Sequence, residues 1–223
     1  MAKRKLKLKF VKFILFILFL VLIYVIYFNV IGDNIKSINI NGNHYLKDSE
    51  IIELAGIGDY KDFLKKSSSS IEKKLTKNIL IEKAKVKKKI NKSIIITITE
   101  KKILFRNSNT DKYVLSDEKE YALDKTYNVP LLINYVPDEV YKDFVNKYKE
   151  LDLIIIDKIS EIKYSPNQYD DDLFMFYMND KNLVQVTVAK LKNLNKYNEI
   201  VTKLNGKNGI LYLDSGNYFK IME

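Results

Sequence analysis

An unbroken apolar run of 16 residues, from 13 to 28, constrains this chain more than any other feature. As an α-helix the run would span about 24 Å, and its extension to residues 10–31 would span about 33 Å, enough for the ~30 Å hydrocarbon core of a bilayer. The extension includes Lys12, whose aliphatic stem can reach the headgroups. Nothing else in the chain is apolar enough to surround such a helix. The sequence therefore predicts one transmembrane helix at residues 10–31.

The residues on either side of this run predict its orientation. Residues 1–12 carry six basic residues and no acidic one, and basic flanks stay in the cytoplasm. A cleaved signal peptide would end in small residues, whereas residues 27–32 read Tyr-Phe-Asn-Val-Ile-Gly. We therefore expect an uncleaved anchor in the cell membrane, with a cytoplasmic tail at residues 1–9 and everything from Asp33 onward outside the cytoplasm.

Composition limits the chemistry of the outer part. The chain has no Cys and one His, which excludes disulfides, thiolate metal sites and multi-His metal centres. After residue 12 the chain has 32 of its 38 basic residues and all 28 of its acidic residues. This near balance gives no general electrostatic footprint for nucleic acid, so we expect no nucleic-acid partner.

The first outer segment is predicted to contain one strand and then two short helices. Residues 35–41 alternate between apolar and polar, as in a half-buried strand. Asp48 is expected to cap the first helix, which Gly56 would end. Ser69 and Glu72 have the spacing of a capping box for the second helix.

Two strands follow, at residues 81–89 and 93–100, and the second has the strongest strand signal in the chain. The predicted order of this segment is strand, helix, helix, strand, strand. The lysines at positions 83–92 are interpreted as the solvated face of a strand, with contact to anionic envelope polymer or lipid as the alternative.

Beyond residue 102 the strands become shorter, and a second domain of mostly antiparallel strands with flanking helices is predicted. The fold class of the chain is therefore α+β. One helix begins after Pro137 with an apolar stripe of Val140, Phe144, Tyr148 and Leu151, and another covers residues 190–204. Strands are predicted at residues 103–106, 113–116, 121–123, 159–164, 173–178, 183–188, 210–213 and 218–222.

Catalytic candidates are poor. His44 lies beside a turn and is interpreted as a surface or turn residue, and residues 170–172 (Asp-Asp-Asp) lack the spacing and glycine of a calcium loop. Gly56 and Gly58 lack the third glycine of a dinucleotide site. A Ser–Lys dyad using residues 67–70 stays open. We expect no catalytic, cofactor-binding or metal-binding residues, no cofactor and no small-molecule substrate, and favour an anchored binding protein.

Motifs spread over nearly the whole chain resemble the FtsQ/DivIB family of bacterial cell-division proteins. Their order behind a single basic-flanked anchor makes the resemblance specific. In the first segment they are Ile-Asn-Ile-Asn-Gly-Asn at 38–43, Asp-x-Glu-Ile at 48–51, Glu-Lys-Ala-Lys-Val at 82–86 and IIITITEK at 94–101. In the second they are residues 113–117, Val-Pro-Leu at 129–131, residues 184–188 with 190–204, and Leu-Asp-Ser-Gly at 213–216.

The resemblance implies a POTRA domain at residues 33–104 and a β domain at residues 105–223. The chain departs from the family pattern in two ways. Prolines are missing before residue 84 and after residue 102, and Glu118 to Glu120 replace the usual hairpin glycine. These departures concern local turn geometry. The sequence ends at Glu223, so we expect it to lack the long tail of some members.

The resemblance also implies a function. Members of the family are single-pass, non-catalytic scaffolds of the divisome at the septum. They bind FtsB/DivIC-type and FtsL-type bitopic proteins and so help to control septal peptidoglycan synthesis. The alternatives are a membrane-anchored envelope enzyme of Ser–Lys hydrolase type and an envelope polymer-binding module. The family's partner site corresponds here to Leu213, Ser215, Tyr218, Phe219, Lys220 and Ile221.

The last strand suggests how such a partner could bind. A strand at the end of the chain can lie at a sheet edge and pair with an incoming strand. Tyr218 and Lys220 should face one side and Phe219 and Ile221 the other, with one pair packed on the domain. Proline at Tyr218 or Lys220 is expected to disfavour pairing with the partner.

Overall fold

The computed structural model describes residues 2–31, 34–204, 206–214 and 216–222 of the chain. The chain divides into two compact units, Met1–Glu100 and Lys101–Glu223. The first unit begins with helix α1 (Ala2–Ile31). Within it, Leu8–Tyr27 is long and apolar enough to cross a membrane, and none of this segment is buried. The helix thus contains the predicted span and begins eight residues before it.

The rest of the first unit has the predicted order of elements. It contains β1 (Ser37–Asn41), α2 (Asp48–Ala55), α3 (Ser68–Leu75), β2 (Ile81–Lys88) and β3 (Ser93–Glu100). The sheet order is β1-β3-β2, with β1 parallel and β2 antiparallel to the central strand β3. The two helices bury apolar side chains, and so does the central strand. These buried residues include Ile51, Ile71, Leu75, Ile94 and Ile96.

Helix α3 is capped differently from the prediction. The Ser67 hydroxyl accepts a hydrogen bond from the Ser70 N–H at 3.1 Å, so Ser67 is the N-cap residue. The predicted capping box of Ser69 and Glu72 is therefore wrong. Glu72 lies one turn further along, and its carboxylate accepts a hydrogen bond from the Val86 N–H of β2 at 2.7 Å.

Helix α2 also begins differently from the prediction. Lys47 is its N-cap residue, and Asp48 is the first helical residue, so the prediction that Asp48 caps the helix is wrong. The Glu50 carboxylate accepts the hydrogen bond from the Lys47 N–H at 3.0 Å, which satisfies an amide at the helix start. The helix ends as predicted at Gly56, which is left-handed with φ of 68°.

The second unit is built on one mixed sheet. Its strands are β4 (Ile103–Asn107), β5 (Lys112–Leu115), β6 (Glu120–Tyr121), β7 (Leu131–Leu132), β8 (Ile159–Tyr164), β9 (Leu173–Met178), β10 (Leu183–Thr187), β11 (Gly209–Tyr212) and β12 (Tyr218–Ile221). The sheet order is β12-β11-β10-β9-β8-β7-β4-β5-β6. Of the eight pairings between these described strands, the three that join β4 to β7, β7 to β8 and β10 to β11 are parallel. The other five are antiparallel, so the α+β class with mostly antiparallel strands is confirmed.

One helix of the second unit packs as predicted. Helix α4 (Asp138–Tyr148) follows Pro137, and Phe144, Tyr148 and Leu151 of the predicted stripe are buried. The Phe144 ring stacks on Phe174 of β9 with centroids 4.2 Å apart. The hydrophobic core therefore lies between this helix and the sheet.

Other parts of the second unit differ from the prediction. The single helix predicted at residues 190–204 is instead a 3-10 helix (Val188–Lys196), a short helix α6 (Tyr197–Val201) and a second 3-10 turn (Thr202–Leu204). Helix α5 (Leu153–Ile156) and the two-residue strand β7 were not predicted. These elements are too short for their periodicity to be recognised.

Candidate partner-binding edge

The last strand, β12, lies at one edge of the nine-stranded sheet. It pairs antiparallel with β11, and this pairing places Tyr218 opposite Tyr212, Lys220 opposite Ile210 and Ile221 opposite Gly209. On its other side β11 pairs with β10, and β11 is the strand of the described sheet with which β12 pairs. The four residues of β12 therefore form a border of the sheet.

The register determines which backbone groups of β12 point outward. The Met222 N–H donates to the Asn208 carbonyl at 3.0 Å, just beyond the last paired residues. Opposed residues in an antiparallel pair alternate between hydrogen-bonded and non-hydrogen-bonded positions. It follows that the backbone groups of Tyr218 and Lys220 point toward β11, and those of Phe219 and Ile221 point to the open side.

This register corrects the expected effect of proline. A proline at Tyr218 or Lys220 would remove an N–H that faces β11, so it would damage the domain's own sheet. The residues whose N–H groups face an incoming strand are Phe219 and Ile221. This direction could not be predicted from the sequence, because the side-chain alternation of a strand does not reveal which of its backbone groups face the neighbouring strand.

The side chains of β12 divide only partly as predicted. Phe219 is half-buried and packs against the core, but Ile221 is 49% exposed although it lies on the same face of the strand. On the other face, Tyr218 is 50% exposed and stacks on Tyr212, with ring centroids 4.6 Å apart. Met222, just after the strand, is 42% exposed. The edge thus carries apolar side chains that are only half covered.

The turn before β12 is held by residues that the sequence analysis did not identify. Gln185 of β10 donates from Nε2 to the Asp214 carboxylate at 3.1 Å, and the Lys190 ammonium donates to the Asp214 carbonyl oxygen. Leu213, a predicted partner residue, is 2% exposed and lies in the core, so its side chain supports the turn from inside. Ser215, also predicted for the partner site, lies outside the described residues.

Gly209 of β11 allows β12 to approach closely. A Cβ atom at this position would lie 2.1 Å from the Lys220 carbonyl oxygen and 2.7 Å from the Phe219 ring. Its N–H donates to the Asn182 side-chain oxygen at 2.9 Å, and Asn182 is itself buried. The absence of a side chain at Gly209 and the anchoring by Asn182 together fix the position of the edge strand.

Other edges of the two sheets are less suited to strand addition. At the opposite end of the large sheet, β6 has only two residues. In the first unit, the Val86 N–H of edge strand β2 already donates a hydrogen bond to the Glu72 carboxylate. The edge strand β1 carries only the half-buried apolar residues Ile38 and Ile40. Of the described edge strands, β12 is therefore the best suited to strand addition, because it has outward backbone groups and apolar side chains that are about half exposed.

Two of the candidates for catalysis take part in structural hydrogen bonds. The backbone N–H groups of His44, Tyr45 and Leu46 all donate to the Glu100 carboxylate, the first of them at 2.9 Å. The Ser67 hydroxyl caps α3. Within the part of the chain that the structure describes, no group of three or more His, Cys, Asp or Glu residues could hold a metal ion.

The chain is similar in sequence to a known domain family and to several known proteins. Residues 34–101 match the FtsQ-type POTRA domain, so the predicted POTRA domain is confirmed. The chain is 26% identical to the cell division protein DivIB of Geobacillus kaustophilus over 190 residues, which cover 82% of this chain and 73% of that protein. It is 28% identical to DivIB of Bacillus subtilis over 83% of this chain and 73% of that protein.

A third relative, DivIB of Bacillus anthracis, is 29% identical over 84% of this chain and 73% of its own length. Among solved structures, the chain is similar to the major extracytoplasmic domain of DivIB from Geobacillus stearothermophilus, with a TM-score of 0.39 and 20% identity. That match covers 48% of this chain and 96% of the other. The sequence similarities to DivIB proteins confirm the resemblance to the FtsQ/DivIB family.

Proposed function

From this similarity to FtsQ/DivIB proteins, we propose that the chain is a membrane-anchored scaffold of the bacterial cell-division complex that binds partner proteins through the edge strand β12. The observation that carries the proposal is the outward direction of the Phe219 and Ile221 backbone groups on a sheet edge with half-exposed apolar side chains. Strand addition to such an edge provides main-chain hydrogen bonds and, through neighbouring side chains, specificity.

The proposed partners are single-pass proteins of the FtsB/DivIC and FtsL types. A segment of such a partner would pair with β12, and its apolar side chains would cover Tyr218, Ile221 and Met222. Lys220 lies between them and is exposed, so an acidic residue in the partner segment would complement it. Binding would help to control septal peptidoglycan synthesis without chemistry on this chain.

The experiment that tests the proposal compares two substitutions at Ile221 in the full chain, reconstituted in lipid nanodiscs. Ile221→Pro removes the outward N–H and the side chain, whereas Ile221→Ala removes only the side chain. Binding of a purified DivIC-type protein should be lost with proline and only weakened with alanine. Both variants should keep the thermal transition of the unsubstituted chain.

Lys220→Pro is the matched control for the backbone argument. Its N–H points toward β11, so this proline should lower the thermal transition itself. Normal partner binding by a folded Ile221→Pro protein would refute pairing at β12. Binding that is lost equally with Ile221→Ala would indicate a side-chain surface instead of strand addition.

We also propose the topology of the chain. The basic N-terminal tail would stay in the cytoplasm and Leu8–Tyr27 would cross the membrane. The POTRA and β domains, with predicted bounds of 33–104 and 105–223, would lie outside the membrane at the septum. Protease treatment of intact wall-stripped cells should degrade all but the first part of the chain, about 30 residues long. Protection of the outer domains would contradict this orientation.

The two alternative functions differ in the residues whose substitution would abolish function. An envelope enzyme of Ser–Lys type would need hydroxyls among residues 67–70, yet Ser67 is engaged in capping α3. Substitution of these serines together with His44 should therefore leave complementation of a depletion strain intact. Loss of complementation by a folded variant would favour the enzyme. A polymer-binding module would instead depend on the lysines at positions 83–92.

A further inference from the structure

Two loops flank the point where the chain enters the first unit after α1. The Ile35 N–H donates to the Tyr60 carbonyl at 2.6 Å, and the Lys36 N–H donates to the Lys92 carbonyl at 2.9 Å. Lys92 belongs to the turn that joins β2 to β3. The β2–β3 turn and the loop that begins at Tyr60 therefore lie at the same end of the small sheet as the start of β1.

This end of the sheet is tied to the membrane helix by a short piece of chain. Helix α1 ends at Ile31, and Lys36 is five residues further on. Five residues span at most about 18 Å even when fully extended. In the topology proposed above, the span ends at Tyr27, and the four helical residues from 28 to 31 add about 6 Å. Lys36 and the β2–β3 turn bonded to it therefore lie within about 24 Å of the end of the span.

The turn has the composition of a membrane-contacting surface. Ile90 lies at its tip with a relative exposure of 104%, so its side chain is entirely in solvent. Lys87 and Lys89 precede it and are exposed, and Lys92 follows it. A fully exposed isoleucine between lysines suits the boundary between headgroups and acyl chains, where an apolar side chain is covered while basic ones meet lipid phosphates.

The neighbouring loop extends the same surface. Leu64 is 58% exposed and Tyr60 is 41% exposed. The Lys88 ammonium of β2 donates to the carbonyl oxygens of Phe63 and Lys66, so the loop and the turn are held side by side. Asp62 in this loop forms an ion pair with Lys65 at 3.0 Å, and Asp59, just before the loop, forms one with Lys66 at 3.1 Å.

We propose that this end of the first unit, formed by residues 60–65 and 87–92, binds the surface of an anionic lipid bilayer, with Ile90 inserted at the interface. The short connection to α1 places it there, and the lysines complement lipid phosphates. A soluble anionic polymer would satisfy the lysines but leave Ile90 and Leu64 in water, so the apolar side chains favour lipid. Such contact would hold the first unit against the membrane and restrict the directions in which the chain extends from it.

Tryptophan fluorescence tests this directly, because the chain contains no Trp. Ile90→Trp introduces a single indole at the turn. Ile79→Trp is the matched control, because Ile79 is 43% exposed and precedes β2 at the opposite end of the strand, about 25 Å away at ~3.3 Å per residue. Each variant is reconstituted in nanodiscs of phosphatidylglycerol and phosphatidylcholine whose belt protein lacks tryptophan, with and without brominated acyl chains.

The expected result is a blue-shifted emission of Ile90→Trp that brominated lipid quenches, with no quenching of Ile79→Trp. Adding Lys87→Glu and Lys89→Glu to Ile90→Trp should remove the shift. Unquenched emission from Ile90→Trp, or equal quenching of both variants, would overturn the proposal. A shift produced by soluble poly(glycerol phosphate) but not by brominated lipid would overturn it in favour of a polymer site.

Discussion

The carboxylate of Glu72 accepts a hydrogen bond from the backbone N–H of Val86 at 2.7 Å. Glu72 belongs to helix α3, and Val86 lies in the middle of the edge strand β2. The Lys89 N–H donates to the Ser93 carbonyl, so these opposed residues form a hydrogen-bonded pair. Hydrogen-bonded and non-hydrogen-bonded pairs alternate along β2 and β3, so Val86 lies in a non-hydrogen-bonded pair and its N–H points away from β3. The helix therefore closes one edge of the small sheet by satisfying an amide that a foreign strand would otherwise use.

Removing this carboxylate should destabilise the first unit. Glu72→Ala leaves the Val86 N–H without its acceptor, at a cost of about 1–2 kcal/mol in the free energy of unfolding. Glu72→Gln keeps an acceptor oxygen of the same reach and should restore most of the loss. Chemical denaturation of the full chain in nanodiscs, followed by circular dichroism, measures the difference. Equal stability of all three proteins would show that water replaces Glu72 at this amide.

The strands of the first unit were predictable because each of them carries a strong local signal. β3 has a run of β-branched residues, and its bounds at Ser93 and Glu100 agree with the prediction. The role of Glu72 was not predictable, because its partner lies 14 residues further along the chain. The spacing from Ser69 to Glu72 suggested a capping box, but Ser67 is the residue that caps α3. Local patterns thus identify the elements but not the tertiary hydrogen bonds between them.

The ion pair of Lys101 and Asp117 predicts how the stability of the second unit depends on pH. The Lys101 ammonium lies 2.6 Å from the Asp117 carboxylate, which also accepts a hydrogen bond from the Tyr121 hydroxyl at 2.8 Å. Burial by itself would raise the pKa of Asp117, but the hydrogen bonds from Lys101 and Tyr121 hold it below its ordinary value. The hydrogen bond to Asp117 raises the pKa of Lys101 despite burial.

A lowered folded pKa means that Asp117 stabilises the fold above its unfolded pKa of about 3.9 and stops doing so as the pH falls through the folded value. For Lys101 the contribution is present below about pH 10.4 and is lost above that pH. Asp117→Asn should therefore cost about 1 kcal/mol at neutral pH, and the difference should vanish in strong acid. Denaturation at several pH values measures it.

Asp59→Asn is the control for this pH series. Asp59 pairs with Lys66, but its side chain is 54% exposed, so the substitution should change the stability less than Asp117→Asn. A constant difference between Asp117→Asn and the unsubstituted chain down to pH 2 would contradict the assigned role of the Lys101–Asp117 pair.

A buried tyrosine holds the crossover that leads to β11. Tyr197 is 1% exposed, and its hydroxyl donates to both Asp180 oxygens, at 2.8 and 2.9 Å. Burial, reinforced by this hydrogen bond, raises the pKa of the Tyr197 hydroxyl above its ordinary value. Tyr197→Phe should lower the free energy of unfolding by about 1–2 kcal/mol. Tyr169→Phe is the control, because Tyr169 is 86% exposed and its substitution should have no measurable effect.

The candidate edge could be predicted in part. The position of β12 at the end of the chain suggested an edge, and the Leu-Asp-Ser-Gly turn marked where it begins. The burial of Leu213 and the half-exposed Ile221 were not predictable, because both depend on how β11 and β12 meet. Residues 190–204 were predicted as one helix from their apolar spacing, yet most of this segment is 3-10 helix. Period-based reasoning does not separate these two helix types when the segments are short.

Gly209 connects the stability of the second unit to the proposed partner site. In Gly209→Ala the new methyl group would lie 2.1 Å from the Lys220 carbonyl oxygen, so β12 must move away from β11. Overpacking of this kind costs about 1–3 kcal/mol, and the displaced strand would no longer present Phe219 and Ile221 in register. Gly58→Ala is the matched control, because the nearest atom to its new methyl group would be 3.8 Å away. We expect Gly209→Ala to lower both the thermal transition and the affinity for a DivIC-type partner, and Gly58→Ala to change neither. Unchanged partner affinity in a destabilised Gly209→Ala protein would place the partner site away from β12.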